Sequence, residues 1–194
     1  AWVTGDTLII FTSDNGPAGE GGGNPANFDS SGDLRGAKRD VHEGGIRVPM
    51  IARWPGQVPP GVTSDLVCAG WDFFPTFVDL AGQRTPTGLD GISLVPTLTG
   101  RGEQVRHAYL YWEFHELGGR QALRQGPWKL VRHGAAQEDP GPFQLYNIEC
   151  DPQEKTDLAA THPLIVADLA ALLPKVRTES PVFKFHTAGH RPDN

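Results

Sequence analysis

Two groups of polar side chains in the first quarter of the sequence could carry chemistry. Asp14 and Asn15 directly follow an apolar run, and Lys38 lies in a later segment rich in basic residues and glycine. Carboxylate and amide oxygens are the ligands that Ca²⁺ or Mg²⁺ prefers, and a lysine beside a cation can hold an anion. Asp14 and Asn15 therefore indicate a metal site and Lys38 an anion contact. The same residues also suit an ordinary turn and a charged surface loop.

The elements around these residues indicate how the chain would position them. Residues 7–12 are apolar and rich in β-branched side chains, which predicts a central strand of a covered parallel sheet. Polar residues at the end of such a strand lie where open α/β sheets bind ligands. Residues 18–35 predict a long loop, residues 48–54 a second buried strand, and residues 71–81 a helix with Asp72 as its N-terminal cap.

The second half of the sequence has a different pattern. Four short β-like runs followed by one amphipathic helix predict antiparallel strands and a packed helix, an α+β arrangement. The connector at residues 84–104 is rich in Pro, Gly and Thr, so we place a domain boundary between residues 104 and 105. The four runs and the helix cover residues 107–113, 121–124, 127–133, 143–148 and 162–177.

Composition narrows the possible functions. A net charge of −6 gives no general field that would attract nucleic acid, so a nucleic-acid partner is not expected. No apolar run reaches about 18 residues, so no membrane partner is expected. Two cysteines, Cys68 and Cys150, are too few for a disulfide framework. The chain begins at Ala1 without an initiator methionine, which we interpret as a cut inside a longer protein.

The order of the motifs resembles the sulfatase family of the alkaline phosphatase superfamily, and bacterial arylsulfatase-like enzymes in particular. The likeness covers about residues 6–160, and its specificity comes from the many blocks that keep their order. The blocks are Thr-Ser-Asp-Asn-Gly (12–16), Lys38 with Glu-Gly-Gly-Ile-Arg-Val-Pro (43–49), Trp-Pro-Gly (54–56), Asp-Phe-Phe-Pro-Thr (72–76), Asp-Gly-Ile-Ser-Leu (90–94), Gly-Pro-Trp-Lys-Leu-Val (126–131), Leu-Tyr-Asn (145–147), Asp-Pro-Gln-Glu (151–154) and Asp-Leu-Ala (157–159).

The resemblance implies a fold class and a function. Residues 1–104 would be the C-terminal part of a large alkaline-phosphatase-like α/β domain. Residues 105–194 would form a small C-terminal α+β subdomain, an antiparallel sheet with one packed helix. The protein would be a sulfuric ester hydrolase acting on sulfated carbohydrate or aryl sulfate. Such enzymes are typically periplasmic or secreted.

The resemblance also implies roles for particular residues. Asp14 and Asn15 would be Ca²⁺ ligands. Lys38 would be the catalytic residue that contacts the sulfate and counters the charge on its oxygens as the S–O bond breaks. The small domain lends residues to the substrate pocket in similar sulfatases, which makes His115 a candidate for substrate binding. Arg47 is a second candidate for that contact.

Further histidines and basic residues have no catalytic role in this interpretation. Arg39 and His42 would be surface or supporting residues, and Glu43 and the neighbouring glycines would shape the loop. The remaining histidines singled out in the sequence are expected to be exposed: His133, His162, His186 and His190.

The family's nucleophile is not found in these 194 residues. It derives from a Cys-x-Pro-x-Arg motif whose cysteine becomes formylglycine, a covalent nucleophile. Cys150 and Pro152 begin like this motif, but Glu154 stands where arginine is required. We therefore expect formylglycine in a missing N-terminal half, which would be a partner of this chain, and no activity from the chain alone.

Two other functions stay open at this point. The superfamily also hydrolyses phosphate and phosphonate esters, and a threonine or an unmodified serine as nucleophile would favour that chemistry. Alternatively, the chain could be a non-catalytic C-terminal module that binds carbohydrate. The sequence does not give the sugar, the linkage or the oligomeric state.

Overall fold

The computed structural model describes residues 4–20, 23–182 and 185 of the chain. Its contacts form two compact units, one of residues 4–14 and 49–107 and the other of residues 15–48 and 108 onward. The sequence places one boundary between residues 104 and 105. The contacts place a junction three residues later and also group residues 15–48 with the C-terminal sheet.

Six strands and four α-helices lie in the described residues. The strands are β1 (Ile9–Phe11), β2 (Ile51–Arg53), β3 (Leu110–Phe114), β4 (Arg120–Gln125), β5 (Trp128–His133) and β6 (Phe143–Asn147). The helices are α1 (Glu43–Ile46), α2 (Phe73–Leu80), α3 (Val95–Thr99) and α4 (Pro163–Val176). Short 3₁₀ turns occupy Thr4–Asp6, Pro25–Asn27 and Gly70–Asp72. None of the helices in these ranges is long and apolar enough to span a membrane.

The first unit contains a two-stranded sheet and two helices. β1 pairs with β2 in antiparallel register, with Phe11 opposite Ile51. The prediction that residues 7–12 pair in a parallel sheet is therefore wrong for the described strands. Burial was also predicted for this run, yet Ile9 is 51% and Phe11 63% exposed. The physical reason is that the part of the chain described by the structure leaves this face of the two short strands uncovered.

The predicted helix after the second strand is present as a 3₁₀ turn continued by α2. Gly82 follows it with φ of +66°, the left-handed conformation that commonly ends helices. Asp72 is the N-cap residue of α2, as predicted, although its side chain makes no capping hydrogen bond to this helix. Instead, the buried Asp72 carboxylate accepts hydrogen bonds from the backbone N–H groups of Ala69 and Ile92 and pairs with His107 at 2.9 Å.

The second unit contains an antiparallel four-stranded sheet in the order β3-β4-β5-β6. This arrangement confirms the predicted antiparallel sheet with one packed helix. Alternation along the strands separates two faces. One face carries Leu123, Leu130 and Leu145, and α4 covers it with Leu169 and Leu173.

The opposite face of this sheet is covered by an early part of the chain. Ala122, Val131 and Tyr146 form its buried cluster together with Val41, which is 2% exposed. Val41 belongs to the segment that also contains Lys38. The sheet of the second unit thus provides the support on which the candidate site segment lies.

Candidate functional site

Residues 34–47, here called the lysine segment, are joined by backbone hydrogen bonds to the stretch that follows Asn15. The N–H of Gly16 donates to the carbonyl of Gly45 at 2.9 Å, and the N–H of Lys38 donates to the carbonyl of Pro17 at 3.0 Å. These two bonds fix the backbone of Lys38 beside the backbone that carries Asn15. The second unit therefore brings together two of the three residues that the sequence assigned to metal and sulfate.

Lys38 keeps a partly accessible ammonium group. Its side chain is 40% exposed, and its Nζ lies 3.8 Å from a carboxylate oxygen of Glu20. Arg39 binds the same glutamate more closely, at 2.7 Å. An ion pair this exposed contributes little to stability. The Lys38 ammonium could therefore leave Glu20 for another anion at small cost.

Asp14 and Asn15 follow β1, as predicted. Asp14 is exposed, whereas Asn15 is half-buried and its Nδ2 donates to the carbonyl of Gly16 at 2.9 Å. A carboxylate and an amide oxygen form a hard donor set, which fits Ca²⁺ and disfavours softer metals. Two residues supply fewer than the six to eight oxygens that Ca²⁺ takes, so further ligands would be required.

A buried ion triad anchors the lysine segment to the sheet. Lys129 on β5 lies 2.8 Å from Glu43 and 3.0 Å from Glu154, and none of these three residues is more than 3% exposed. Glu154 also accepts a 2.6 Å hydrogen bond from the backbone N–H of Glu43. Glu43 thus shapes the segment, as the sequence indicated. Sequence reasoning did not find the partners Lys129 and Glu154.

Arg35 adds a second link between the lysine segment and the sheet. Its guanidinium donates to the hydroxyl of Tyr146 at 3.0 Å and to the carbonyl of Glu154 at 3.2 Å. Burial raises the pKa of the Tyr146 hydroxyl, so that group remains protonated at neutral pH. The segment is therefore held by charge, by hydrogen bonds and by the apolar contact of Val41.

Two glycines, Gly16 and Gly45, allow the backbone to fold this tightly. A Cβ on Gly16 would overlap the carbonyl oxygen of Gly44, and one on Gly45 would overlap the carbonyl oxygen of Asp40 and lie 2.6 Å from that of Ala37. These contacts are with backbone atoms, which cannot move aside as a flexible side chain can. Glycine is required at these positions by close approach, not by a positive φ angle.

We predict that Gly45→Ala destabilises the second unit by about 1–3 kcal/mol, the usual cost of overpacking. Equilibrium urea unfolding of the 194-residue chain measures the effect. Gly70→Ala is the matched control, because a Cβ at Gly70 meets no atom within 4 Å. Equal stability of the two variants would contradict the close packing of this segment.

Asp40, His42 and His133 lie together beside the triad. His42 is 1% exposed, its Nδ1 is 2.8 Å from the Asp40 carboxylate, and its ring stacks on His133 with centroids 5.2 Å apart. Burial alone would raise the pKa of Asp40, but the hydrogen bond and charge of His42 and the nearby Arg120 hold it well below its usual value. His42 is thus a supporting residue, as expected.

Two histidines that were expected to be exposed are half-buried. His133 stacks on His42, and His162 contacts the Trp128 ring at 5.2 Å. That prediction was wrong for both, because sequence spacing gave no sign of these long-range ring contacts. His186 and His190 lie outside the described residues.

His115 belongs to a polar network at the end of β3. Its Nε2 lies 2.8 Å from Glu113, and its ring stacks on Phe185 with centroids 4.6 Å apart. Glu113 also accepts hydrogen bonds from the Tyr111 hydroxyl and from the Arg177 guanidinium. These bonds outweigh the effect of burial and lower the pKa of Glu113. The network fixes the His115 ring, while its role in substrate binding stays a prediction.

Arg47 lies at the end of α1 with a 59% exposed side chain. Its nearest acidic partner is Glu43, at 3.9 Å. This long, exposed contact leaves the guanidinium accessible for an anion. Its role in substrate binding also stays a prediction.

Comparison with known proteins places this geometry in a family. Residues 36–179 match the family model described as N-sulphoglucosamine sulphohydrolase, C-terminal. Bovine arylsulfatase A is 40% identical over 80% of this chain and 34% of its own length. An N-acetylgalactosamine-6-O-sulfatase of Bacteroides thetaiotaomicron is 32% identical over 91% of this chain and 37% of its own length.

A solved structure extends the likeness to the fold. The solved structure of a Bacteroides thetaiotaomicron protein, from a genetic locus for the metabolism of multiple glycosaminoglycans, superposes on this chain with a TM-score of 0.72 at 30% identity. The match covers 91% of this chain and 40% of that one. The chain spans about a third of the length of the curated relatives it matches. Since the family model covers well over half of the sequence, the chain belongs to the N-sulphoglucosamine sulphohydrolase C-terminal family, as a C-terminal portion of a sulfatase of the alkaline phosphatase superfamily.

Proposed function

We propose that this chain supplies part of the metal and sulfate site of a sulfuric ester hydrolase. Asp14 and Asn15 bind Ca²⁺ through their side-chain oxygens, and Lys38 contacts the sulfate group of the substrate. The observation that carries the proposal is the backbone bonding of Gly16 to Gly45 and of Lys38 to Pro17, which holds an accessible lysine beside the stretch after Asn15. The proposed reaction is the one expected from the matched sulfatase family.

Lys38 acts electrostatically in this proposal. Its ammonium donates hydrogen bonds to sulfate oxygens and offsets the negative charge that grows as the S–O bond to the leaving oxygen breaks. The buried triad and the apolar contact of Val41 fix the backbone from which this side chain extends. A fixed backbone reduces the reorganisation that the ammonium must undergo during the reaction.

Two groups that the family implies would add to this chemistry. Ca²⁺ would supply positive charge beside the sulfate, with Asp14 and Asn15 as two of its ligands. Formylglycine would supply the covalent nucleophile. The 194 residues contain no Cys-x-Pro-x-Arg motif, so this nucleophile would come from the N-terminal half of the same enzyme.

An exposed apolar face of the first unit supports the proposal that an N-terminal half of the same enzyme binds this chain. Phe11 and Ile51 are cross-strand neighbours, and Ile9 lies two residues from Phe11, so all three side chains share one face of the β1–β2 sheet. They are 51–63% exposed. Large apolar side chains grouped in this way usually mark an interaction surface. We propose that the remaining part of the α/β domain covers this face.

The names of the same relatives support a proposal for the substrate class. We propose a sulfated carbohydrate or an aryl sulfate, with His115 and Arg47 contacting the part of the substrate beyond the sulfate group. The names of the bovine and bacterial relatives include both an arylsulfatase and a sugar sulfatase. We further propose that the enzyme acts in the periplasm or outside the cell, as the family resemblance implies.

Assays on the 194-residue chain distinguish two hypotheses: that the chain is one part of a sulfatase site, or that it is an independent carbohydrate-binding module. We expect no release of 4-nitrophenol from 4-nitrophenyl sulfate and only weak Ca²⁺ binding by calorimetry, because the nucleophile and most metal ligands lie elsewhere. Turnover by the purified chain would overturn the proposed division of the site. Tight binding of a sulfated oligosaccharide without Ca²⁺ would favour a carbohydrate-binding module instead.

A further inference from the structure

Asp40, His42 and His133 form a compact group of metal-binding side chains that the proposed sulfatase chemistry does not use. Each residue offers one ligand atom, and these atoms all lie within 4.8 Å of one another. Asp40 and His42 come from the lysine segment, while His133 is the last residue of β5. The group therefore joins the lysine segment to the sheet at a further point, in addition to the buried triad and Arg35.

The His42 ring meets this group through Nδ1, which lies 2.8 Å from a carboxylate oxygen of Asp40. His42 is 1% exposed, so this nitrogen is held in place by the surrounding protein.

The group supplies one carboxylate and two imidazoles, and one neighbouring charge acts against a cation. Arg120 opposes a second cation, because its guanidinium lies 3.5 Å from Asp40. The site would therefore bind with moderate affinity.

We propose that Asp40, His42 and His133 bind a borderline divalent transition metal ion of the Zn²⁺ class. Two imidazoles and one carboxylate are a donor set typical of Zn²⁺ sites that keep an open position. Ligand atoms on one tetrahedral Zn²⁺ lie roughly 3.3 Å apart, so the side chains must close by about 1 Å or more. Unlike the hard oxygens of Asp14 and Asn15, nitrogen ligands favour Zn²⁺ over Ca²⁺.

The expected consequence is a metal link between the lysine segment and β5. Binding to the folded state alone stabilises it by mass action, by about 2.7 kcal/mol at a hundredfold excess over Kd. The proposal is independent of the sulfatase chemistry, since it concerns binding and stability. A chain without turnover could still bind Zn²⁺ here, and an active enzyme could lack this site.

Calorimetry with ZnCl₂ on the untagged 194-residue chain tests the site. We expect one Zn²⁺ per chain with a micromolar Kd, a higher Tm with Zn²⁺, and no such effect of CaCl₂. His133→Asn should weaken binding at least tenfold. His162→Asn is the matched control, since His162 is also half-buried in the second unit but belongs to another contact. The double variant His186→Asn/His190→Asn should also bind as the wild type does.

A spectroscopic readout avoids dependence on the folding of variants. Co²⁺ added to the wild-type chain should give visible d–d absorption of the intensity typical of a four- or five-coordinate site, and Zn²⁺ should remove it. Absence of Zn²⁺ binding and of these bands would overturn the proposal. Equal Zn²⁺ affinity of folded His133→Asn and of the wild type would overturn it as well.

Discussion

Lys129→Met is expected to lower the free energy of unfolding of this chain by about 3–5 kcal/mol, the usual cost of removing one partner from a buried ion pair. Lys129 is fully buried between Glu43 and Glu154, at 2.8 and 3.0 Å. Without its ammonium, two buried carboxylates would face each other with no cation between them. Methionine keeps the apolar part of the side chain, so the loss of stability measures the effect of removing the charge.

Urea unfolding of the 194-residue chain measures this loss. Lys175→Met, at an exposed position in the last turn of α4, is the matched control and should change stability by less than about 0.5 kcal/mol. The double variant Lys129→Met/Glu154→Gln should recover part of the loss, because one of the opposed charges is removed. A Lys129→Met chain as stable as the control variant would contradict the account of the triad.

Lys38→Ala is expected to reduce kcat/KM for sulfate ester hydrolysis by about 10²- to 10³-fold in the longer protein that contains this chain. That is the usual effect of removing one group that stabilises charge in a transition state. The side chain is 40% exposed, so the free energy of unfolding should change by no more than about 0.5 kcal/mol. Loss of rate without loss of stability distinguishes a substrate contact from a structural role.

Arg39→Ala is the control for Lys38→Ala. Arg39 is the next residue, is equally exposed and binds the same glutamate, Glu20. If any positive charge at this surface increased the rate equally, the two variants would lose similar activity. We expect the Arg39→Ala enzyme to stay within a few-fold of the wild type. A Lys38→Ala enzyme with a similarly small loss would exclude the direct sulfate contact.

Local patterns in the sequence predict the sheet and the long helix of the second unit well. Period-two alternation places Leu123 and Leu130 on one face and Ala122 and Val131 on the other, and the structure has this register. The helical period over residues 162–177 corresponds to α4. These features depend on neighbours in the sequence, so the sequence alone contains the necessary information.

The support of the lysine segment could not be predicted in the same way. Lys129 and Glu43 are 86 positions apart, and Glu154 is 111 positions from Glu43. No short-range pattern reports a pairing at such distances. Lys129 lies between Trp128 and Leu130 in a predicted strand, and this apolar setting is the signal that could have raised the question, because buried lysines are almost always paired.

For the first unit, the sequence pattern predicted burial that the described residues do not show. An apolar run on both faces predicted a covered strand, yet Ile9 and Phe11 in β1 are exposed. The run reports which side chains require burial, but it does not report what buries them. The metal and sulfate assignments of Asp14, Asn15 and Lys38 came from the order of motifs, and local physics alone would also have allowed a turn and a surface loop.

The most direct measurement is the hydrolysis rate of the longer protein on 4-nitrophenyl sulfate and on 4-nitrophenyl phosphate, with and without Ca²⁺. We predict Ca²⁺-dependent turnover with a higher kcat/KM for the sulfate ester, abolished when Asp14 is replaced by alanine. Preference for the phosphate ester, or full activity of the Asp14→Ala enzyme without Ca²⁺, would contradict a calcium-dependent sulfatase site built on Asp14, Asn15 and Lys38.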